Sequence, residues 1–526
     1  MLVENPPEDQ LSEVKAKFLV SGAAVILSGF GWAGAQVPAS LEMNLVNNSS
    51  FTGLPGAEDI YVYFSNGAAA TTFPVFDVTY NSGTAVFFGT FQGGTNNATT
   101  FQNYLSNPIA LSSVTGKTFQ MTTASSVGIY LAYGTQFSSL SAAPAFLPGG
   151  VGATVAFQNF EITRTGGQGD QGNLTNINYF TAPLSITSYA GTVQQQHTSF
   201  SQNAQQIAST LRALSPTSEI KDGGTTLRFV GPSTYPPAQV PPYNSFVPYM
   251  QAVRDGGVTN LIQNANAFNT NGSNGTNGSN YNFQFNLNTS FTTSGGNVTA
   301  LVMSGNITTE VKNNSTGTTT AGTTFANADV TIDLTDVNNF NGLVYGQSLG
   351  QFPGTVSFGT GWTDFEDFIN NPSNDLTNSG AFGTTQAFAI GEITSAILMG
   401  FLGNTEVVDS TALNTLPSSD WWKLNPLVAF SEIQSNPDFY NEWANVIYAV
   451  SSNGAYSIPY SDRLGTGPLV NSVYYNGEYI TSWDVGIFDP VSIPEPSTFV
   501  LLTFVGLGAA WRARQNRRAL PSLTRG

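Results

Sequence analysis

Between Phe157 and Leu184 the sequence reads FQNFEITRTGGQGDQGNLTNINYFTAPL. It describes a strand carrying Glu161, a Gly/Gln turn holding Asp170, and a second strand ending at Pro183. Alternation turns Glu161 away from the side taken by Phe160 and Ile162, so its carboxylate leaves the core face. An acid fixed on a rigid strand suits general-acid chemistry. A solvated glutamate on an ordinary hairpin is the plain alternative, and on these residues alone it has the better claim.

The same segment carries a resemblance. Phe160-Glu161-Ile162-Thr163 matches a strand of type Phe-Glu-x-Thr, and Asn173–Leu184 (NLTNINYFTAPL) matches Asn-x-Thr-x-Val-Asp-Phe-Phe-x-x-Pro-Leu. These resemble the two strands that supply acid and base in glycoside hydrolase family 64, the β-1,3-glucanases with a thaumatin-like barrel. Asn441, Trp443 and Ala444, followed by GAYSIPYSD from Gly454 to Asp462, resemble the family's Asn-x-Tyr-Ala and Lys-Ala-Tyr-x-Phe-Pro-Tyr-Asp-Asp. Ser461 takes the first Asp of that pair and Asp462 keeps the second. The opening stretch, Asn47-Asn48-Ser49 and Asp59–Tyr63, is similar to the family's first strands.

The resemblance implies an inverting hydrolase that cuts β-1,3-glucan in a wide groove between two lobes. Glu161 would be the general acid, its pKa raised by partial burial among Phe157, Phe160 and Tyr179. Thr163, Tyr460 and Asp462 would bind substrate. Inversion needs a second carboxylate roughly 6.5–9.5 Å away, to admit a water. That position is Asn178, whose amide orients water but takes no proton from it. A lost base costs on the order of 10²–10⁴ in rate. Asp170, in its Gly-rich turn, is the first substitute to consider, and Asp462 the next.

The elements that must position these residues follow from patterning. From Leu41 to about Ile186, short alternating runs such as Ile60–Phe64, Val86–Phe91 and Val127–Leu131 are broken by Gly, Asn and Pro, the signature of a sandwich or barrel. Helical stripes follow at Phe200, Ala204, Ile207, Leu211 and Leu214, with Ser199 as cap, and at Ala387, Ile390, Thr394, Ile397 and Phe401. A third runs Phe439, Trp443, Val446, Ile447 and Val450, capped by Asp438. The expected fold is β-rich α+β: a thaumatin-like β-sandwich or barrel lobe at 36–190 and a mixed α/β lobe at 191–490, with the last strands free to return to the barrel. NGSNGTNGSN at 271–280 is a low-complexity loop within the second lobe, since Tyr281, Phe283, Phe285 and Leu287 alternate directly after it.

Both ends read as targeting segments. Lys15 and Lys17 precede an apolar stretch, Phe18–Trp32, and small residues before Gln36, so 1–35 is a secretory signal with an unusually long leader. Ile493-Pro494-Glu495-Pro496-Ser497, the apolar run Phe499–Trp511 and the cluster Arg512, Arg514, Arg517 and Arg518 resemble the PEP-CTERM sorting signal of exopolysaccharide-producing Gram-negative bacteria. The resemblance implies an exosortase partner that removes the tail, after transient anchoring in the inner membrane; the run is short for a permanent span of roughly 20 residues. The expected destination is the outer surface or extracellular matrix.

The chain holds 33 acids and 16 bases. The leader accounts for four acids and two bases, and the tail for one acid and five arginines, which leaves 28 acids and 9 bases, net −19. Such a surface repels nucleic acid and anionic membrane but is compatible with a neutral polysaccharide. With no cysteine, thiolate chemistry and zinc–thiolate sites are excluded. His197, the single histidine, reads as a surface residue without a partner. Asp364, Glu366 and Asp367 lack a metal-ligand spacing and read as a helix start; no metal or cofactor is expected. Two functions stay open: a β-1,3-glucan hydrolase requiring a second carboxylate near Glu161, and a non-catalytic glucan-binding or matrix protein using exposed rings such as Trp362, Trp421 and Trp422. A surface protein without a carbohydrate role has only composition behind it.

Overall fold

The computed structural model describes residues 37–55, 57–65, 76–81, 86–90, 105–139, 144–235, 242–256, 261–269, 279–313, 319–346, 354–370, 381–404, 407–408, 411–413, 417–421, 440–451, 455–458 and 469–492. The described residues from Pro38 onward group as one compact unit. The fold is β-rich α+β, built around a nearly closed, barrel-like sheet.

That sheet follows the order Val193–Ser199, Leu184–Ala190, Ser482–Ile487, Leu41–Asn47, Thr118–Tyr133, Ala156–Arg164, Gln171–Leu174 and Leu469–Asn471. The strand at 193–199 lies past residue 190, and the strands at 469–471 and 482–487 come from the far end of the chain. Leu41–Asn47 and Ser482–Ile487 run parallel, and the neighbouring pairs along this order are antiparallel. Between the first and last strands of the order, a side chain replaces the ladder: the Gln196 Nε2 donates to the Leu469 carbonyl at 3.3 Å, and its Oε1 accepts from the Asn471 N–H at 2.8 Å. Alternating residues fill the interior, among them Met43, Leu45, Ile129, Phe160, Ile162, Trp483 and Val485, all at 1% exposure or less. Burying each such side chain contributes roughly 1.5–3 kcal/mol.

The opposite face of the sheet carries a separate aromatic cluster of Tyr63, Tyr130, Phe137, Phe157 and Tyr179. Arg228, fully buried, lies with its guanidinium 4.4 Å from the centre of the Phe157 ring. It donates to the carbonyls of Ala145 at 2.7 Å and Ala153 at 3.2 Å, and to that of Val155. It thereby ties the 145–155 loop onto the cluster.

The second core surrounds a six-stranded sheet that includes the long antiparallel pair Ser279–Ser294 and Asn297–Asn313. Helices Val247–Asp255, Val337–Val344, Thr360–Asn370 and Ala381–Leu398 contribute to it. Phe285 and Leu287 are buried there, as their alternation implies; the low-complexity loop at 271–280 lies outside the described residues up to Gly278. Helix Glu442–Val450 joins the two cores, with Trp443 in the barrel cluster and Ala444 and Tyr448 in the other.

Several expectations are corrected by tertiary context. Helix Ala204–Leu214 is capped by Asn203, in a reciprocal capping box with Gln206, not by Ser199. Helix Glu442–Val450 is capped by Asn441, whose side chain accepts from Ala444 N, not by Asp438. Helix Ala381–Leu398 ends before Phe401, and residues 391–398 are buried on every side rather than along a stripe. Asp364, Glu366 and Asp367 lie in the body of helix Thr360–Asn370, whose first turn is free of acids. Trp362 is 1% exposed and packs edge-on to Phe358, so it offers no ring to a ligand. Trp422 lies outside the described residues. His197 sits on a strand and has partners: Nδ1 meets Thr187 Oγ1 at 2.8 Å and Nε2 meets Ser199 Oγ at 3.1 Å. Among the described residues, no helix is long and apolar enough to cross a membrane.

Candidate functional site

Glu161 occupies the strand Ala156–Arg164, between Phe160 and Ile162, which are fully buried in the barrel core. Glu161 itself is half-buried on the opposite face. Phe160 therefore takes no part in its surroundings, contrary to expectation, whereas Phe157 and Tyr179 share the outer cluster, with ring centres 5.0 Å apart. Directly across the ladder from Glu161 stand Gly128 on one side and Asn173 on the other. A Cβ at Gly128 would come within 2.8 Å of the Ser65 hydroxyl and 3.1 Å of the Tyr130 ring. The missing side chain thus leaves room for both at Gly128, the register partner of Glu161. At Gly172 a Cβ would fall 2.2 Å from the Glu161 carbonyl oxygen and 2.7 Å from the Trp483 ring, so this pairing tolerates only glycine.

Besides the Tyr130 ring, the residues flanking Glu161 on this face in register carry short hydroxyls and amides. Thr163 Oγ1 accepts from the Ser126 N–H at 3.2 Å. Asn173 Oδ1 accepts from Thr175 Oγ1 at 2.6 Å, and Asn159 Oδ1 accepts from the Tyr179 hydroxyl at 2.6 Å. Burial raises the Tyr179 hydroxyl well above the ordinary phenol range, so it stays a donor.

The second strand does not run unbroken to Pro183. Gln171–Leu174 ends in the barrel sheet, and Tyr179–Phe180 pairs instead with Thr225–Val230 in a small three-stranded sheet. Asn178 lies in the connection. The connection is tied down along its length: Asn176 N donates to the Tyr456 carbonyl at 2.6 Å, and Trp443 Nε1 donates to the Asn176 carbonyl at 2.9 Å. The Asn178 carbonyl accepts from Gly231 N and from Thr234 Oγ1, both at 2.8 Å. The Ser233 hydroxyl reaches the Ile177 carbonyl at 3.0 Å and Asn178 Oδ1 at 3.2 Å. Gly231 is required for this approach, because a Cβ there would lie 2.4 Å from the Ile177 carbonyl oxygen.

Asp170 closes its own turn. Its carboxylate accepts from Gly166 N at 2.8 Å, Gly167 N at 3.0 Å and Thr165 Oγ1 at 3.1 Å, and also from Thr165 N. Its charge also favours the buried Arg164 guanidinium, whose pKa desolvation pushes down. Arg164 in turn donates to the Ser472 and Pro38 carbonyls at 2.5 and 2.7 Å. A carboxylate held by these donors at 9% exposure has little freedom to reach a water beside Glu161. Tyr460 and Asp462 lie outside the described residues. Among the described residues no three His, Asp or Glu side chains gather as a metal site. Asn173, Ser65 and Ser233 join the neighbourhood without having been singled out by sequence. Of these only Asn173 carried a signal, as the first residue of the second strand motif.

Residues 492–515 match the PEP-CTERM protein-sorting motif, which marks an exported protein sorted by an exosortase. No curated protein matches the chain in sequence. Among solved structures, a laminaripentaose-producing β-1,3-glucanase in complex with laminaritetraose is 15% identical at a TM-score of 0.46, over 86% of this chain and 100% of that one. A β-1,3-glucanase domain (GH64) from Clostridium beijerinckii is 12% identical at 0.43, over 86% and 99%. A GH family 64 laminaripentaose-producing β-1,3-glucanase from Paenibacillus barengoltzii, complexed with laminarihexaose, is 10% identical at 0.39, over 87% and 78%. Likenesses of this size carry no functional argument.

Proposed function

We propose that the protein binds linear β-1,3-glucan on the Glu161 face of the barrel, with Glu161 as the general acid of an inverting glycosidase site whose base position holds Asn178. Hydrolysis is then slow or absent, while sugar binding is kept. The observation that carries this reading is the half-buried Glu161 on one strand face with the half-buried Thr163, backed in register by the buried neutral side chains of Ser65 and Asn173. Such a face suits an uncharged polyhydroxylated ligand, whose hydroxyls exchange hydrogen bonds with it.

The motif resemblance at Phe160–Thr163 and Asn173–Leu184 supports the same assignment. Thr163 Oγ1 accepts from backbone, which leaves its own O–H to donate to a sugar oxygen. Tyr460 and Asp462 complete the substrate contacts in this reading, and Asp462 is the remaining substitute base, since Asp170 is spent on its turn. A second reading, a matrix protein that holds glucan without cutting it, is favoured by the Asn178 amide itself. In either case the chain is exported through its 1–35 leader, held for a time by the apolar run 499–511 and released by an exosortase to the outer surface or matrix of a Gram-negative bacterium.

Electrophoresis through gels with and without laminarin tests the shared premise. Retardation by the sugar is expected; equal mobility in both gels, together with no release of reducing ends, contradicts the reading.

A further inference from the structure

The strand Thr118–Tyr133 is interrupted beside the site. Val127 pairs with Ile162 and Ala124 with Arg164, so Ser125 and Ser126 together oppose Thr163. This is a β-bulge, a device that re-aims a side chain and recurs next to active sites. Ser126 has a φ of +47°, and its side chain is exposed. Serine rarely takes that left-handed conformation, whose cost is tolerated where the surroundings or the function require it. Three other non-glycine residues share a positive φ among those described: Lys117, Asn327 and Asn476. Lys117 ends a short turn, and asparagine tolerates the conformation; Ser126 is the one placed inside a strand.

The backbone of the bulge already has a use, since its N–H donates to Thr163 Oγ1. Glycine would supply that N–H without strain. What serine adds is a hydroxyl held out from the sheet beside Thr163, two residues, or roughly 6.6 Å, along the strand from Glu161. It adds nothing to the core, because the buried residues flanking the bulge are Ala124 and Val127.

We propose that Ser126 is a substrate-contacting residue. With Thr163 it forms a pair of hydroxyls that hydrogen-bond one sugar ring next to the ring positioned at Glu161, and so defines a subsite on the bulge side of the carboxylate. The proposal rests on the glucan-binding reading of the same face.

The test compares Ser126→Gly and Ser126→Ala with the parent for laminarin affinity by gel retardation and for thermal midpoint. Both variants lose the hydroxyl, and a hydrogen bond of ordinary strength is worth about three- to tenfold in affinity. Ser126→Gly keeps the N–H and sheds the strain, so it is expected to melt at or above the parent's midpoint while binding about three- to tenfold more weakly. Ser126→Ala is expected to lose the same affinity without the gain in midpoint. Parent-like affinity in both folded variants overturns the proposal and leaves the glucan reading standing. A parent that laminarin does not retard removes the glucan reading, and the subsite with it.

Discussion

The Ser233 hydroxyl lies 3.2 Å from Asn178 Oδ1 and 3.0 Å from the Ile177 carbonyl, so its single proton is shared between the two acceptors. With Oδ1 engaged, the Nδ2 end points away from Ser233 as a donor, where a glycosidase needs an acceptor. A carboxylate at residue 178 fits the same clasp, because the hydroxyl donates equally well to it. In the proposed reading, this is a base position with its scaffold intact and its basic atom replaced. Ser233→Ala is expected to leave the fold in place, lower the thermal midpoint by no more than a few degrees, and reduce laminarin retardation by about two- to tenfold as the amide loses its orientation. Unchanged retardation would mean that Asn178 does not meet the sugar.

Gln196 closes the seam of the barrel in place of a strand ladder, through the Leu469 carbonyl and the Asn471 N–H. Replacing it by alanine exposes two backbone groups at a part-buried edge, at a cost of about 1–3 kcal/mol. Amide exchange in Gln196→Ala should accelerate at Asn471 and along Leu469–Asn471. It should stay at the parent's rate in Thr118–Tyr133.

Arg228 is buried with no carboxylate paired to it among the described residues, and desolvation draws its pKa down to about 10. It stays charged at neutral pH because backbone carbonyls and the Phe157 ring surround the guanidinium. Lysine cannot reproduce that planar fork. Arg228→Lys is therefore expected to destabilise by about 2–4 kcal/mol and to loosen the 145–155 loop, read out by denaturant unfolding and by proteolysis within that loop.

Glu219 is pulled down to about 2, first by the Arg212 guanidinium at 2.6 Å and then by Thr226 Oγ1 and the Lys221 ammonium. A carboxylate depressed on folding contributes stability that is complete above the ordinary carboxylate range and lost as pH falls from there towards 2. The thermal midpoint should drop across that acid window in the parent, and Glu219→Gln should flatten that part of the profile. The strand bearing Glu219 pairs with Thr225–Val230, which carries Arg228 and leads to Ser233. Acid therefore loosens the sheet behind Asn178.

How far these relationships could be read from sequence depends on their range. The outward facing of Glu161 follows from a period of two between Phe160 and Ile162, and local alternation was enough to find it. The break before Asn178 was not legible, because Trp443, Tyr456 and Gly231 impose it from distant parts of the chain. The glycine turn predicts a mobile Asp170, yet short polar side chains bond nearby backbone amides first, as Asp170 does with Gly166 and Gly167. Ser199 and Asp438 have cap-forming side chains, but Asn203 and Asn441 make the cap hydrogen bonds. Ser126 and Ser233 left no trace in the pattern, since a bulge and a cross-loop hydroxyl depend on register and tertiary approach.

The central claim is that Glu161 is a working acid whose partner base has become Asn178. It is tested most directly by reducing-end release from linear β-1,3-glucan by the parent, Asn178→Asp, and Asn178→Asp combined with Glu161→Gln. A rise on the order of 10²–10⁴ is expected for Asn178→Asp over the parent, abolished by Glu161→Gln. A correctly folded Asn178→Asp no faster than the parent, or activity that survives Glu161→Gln, would contradict it.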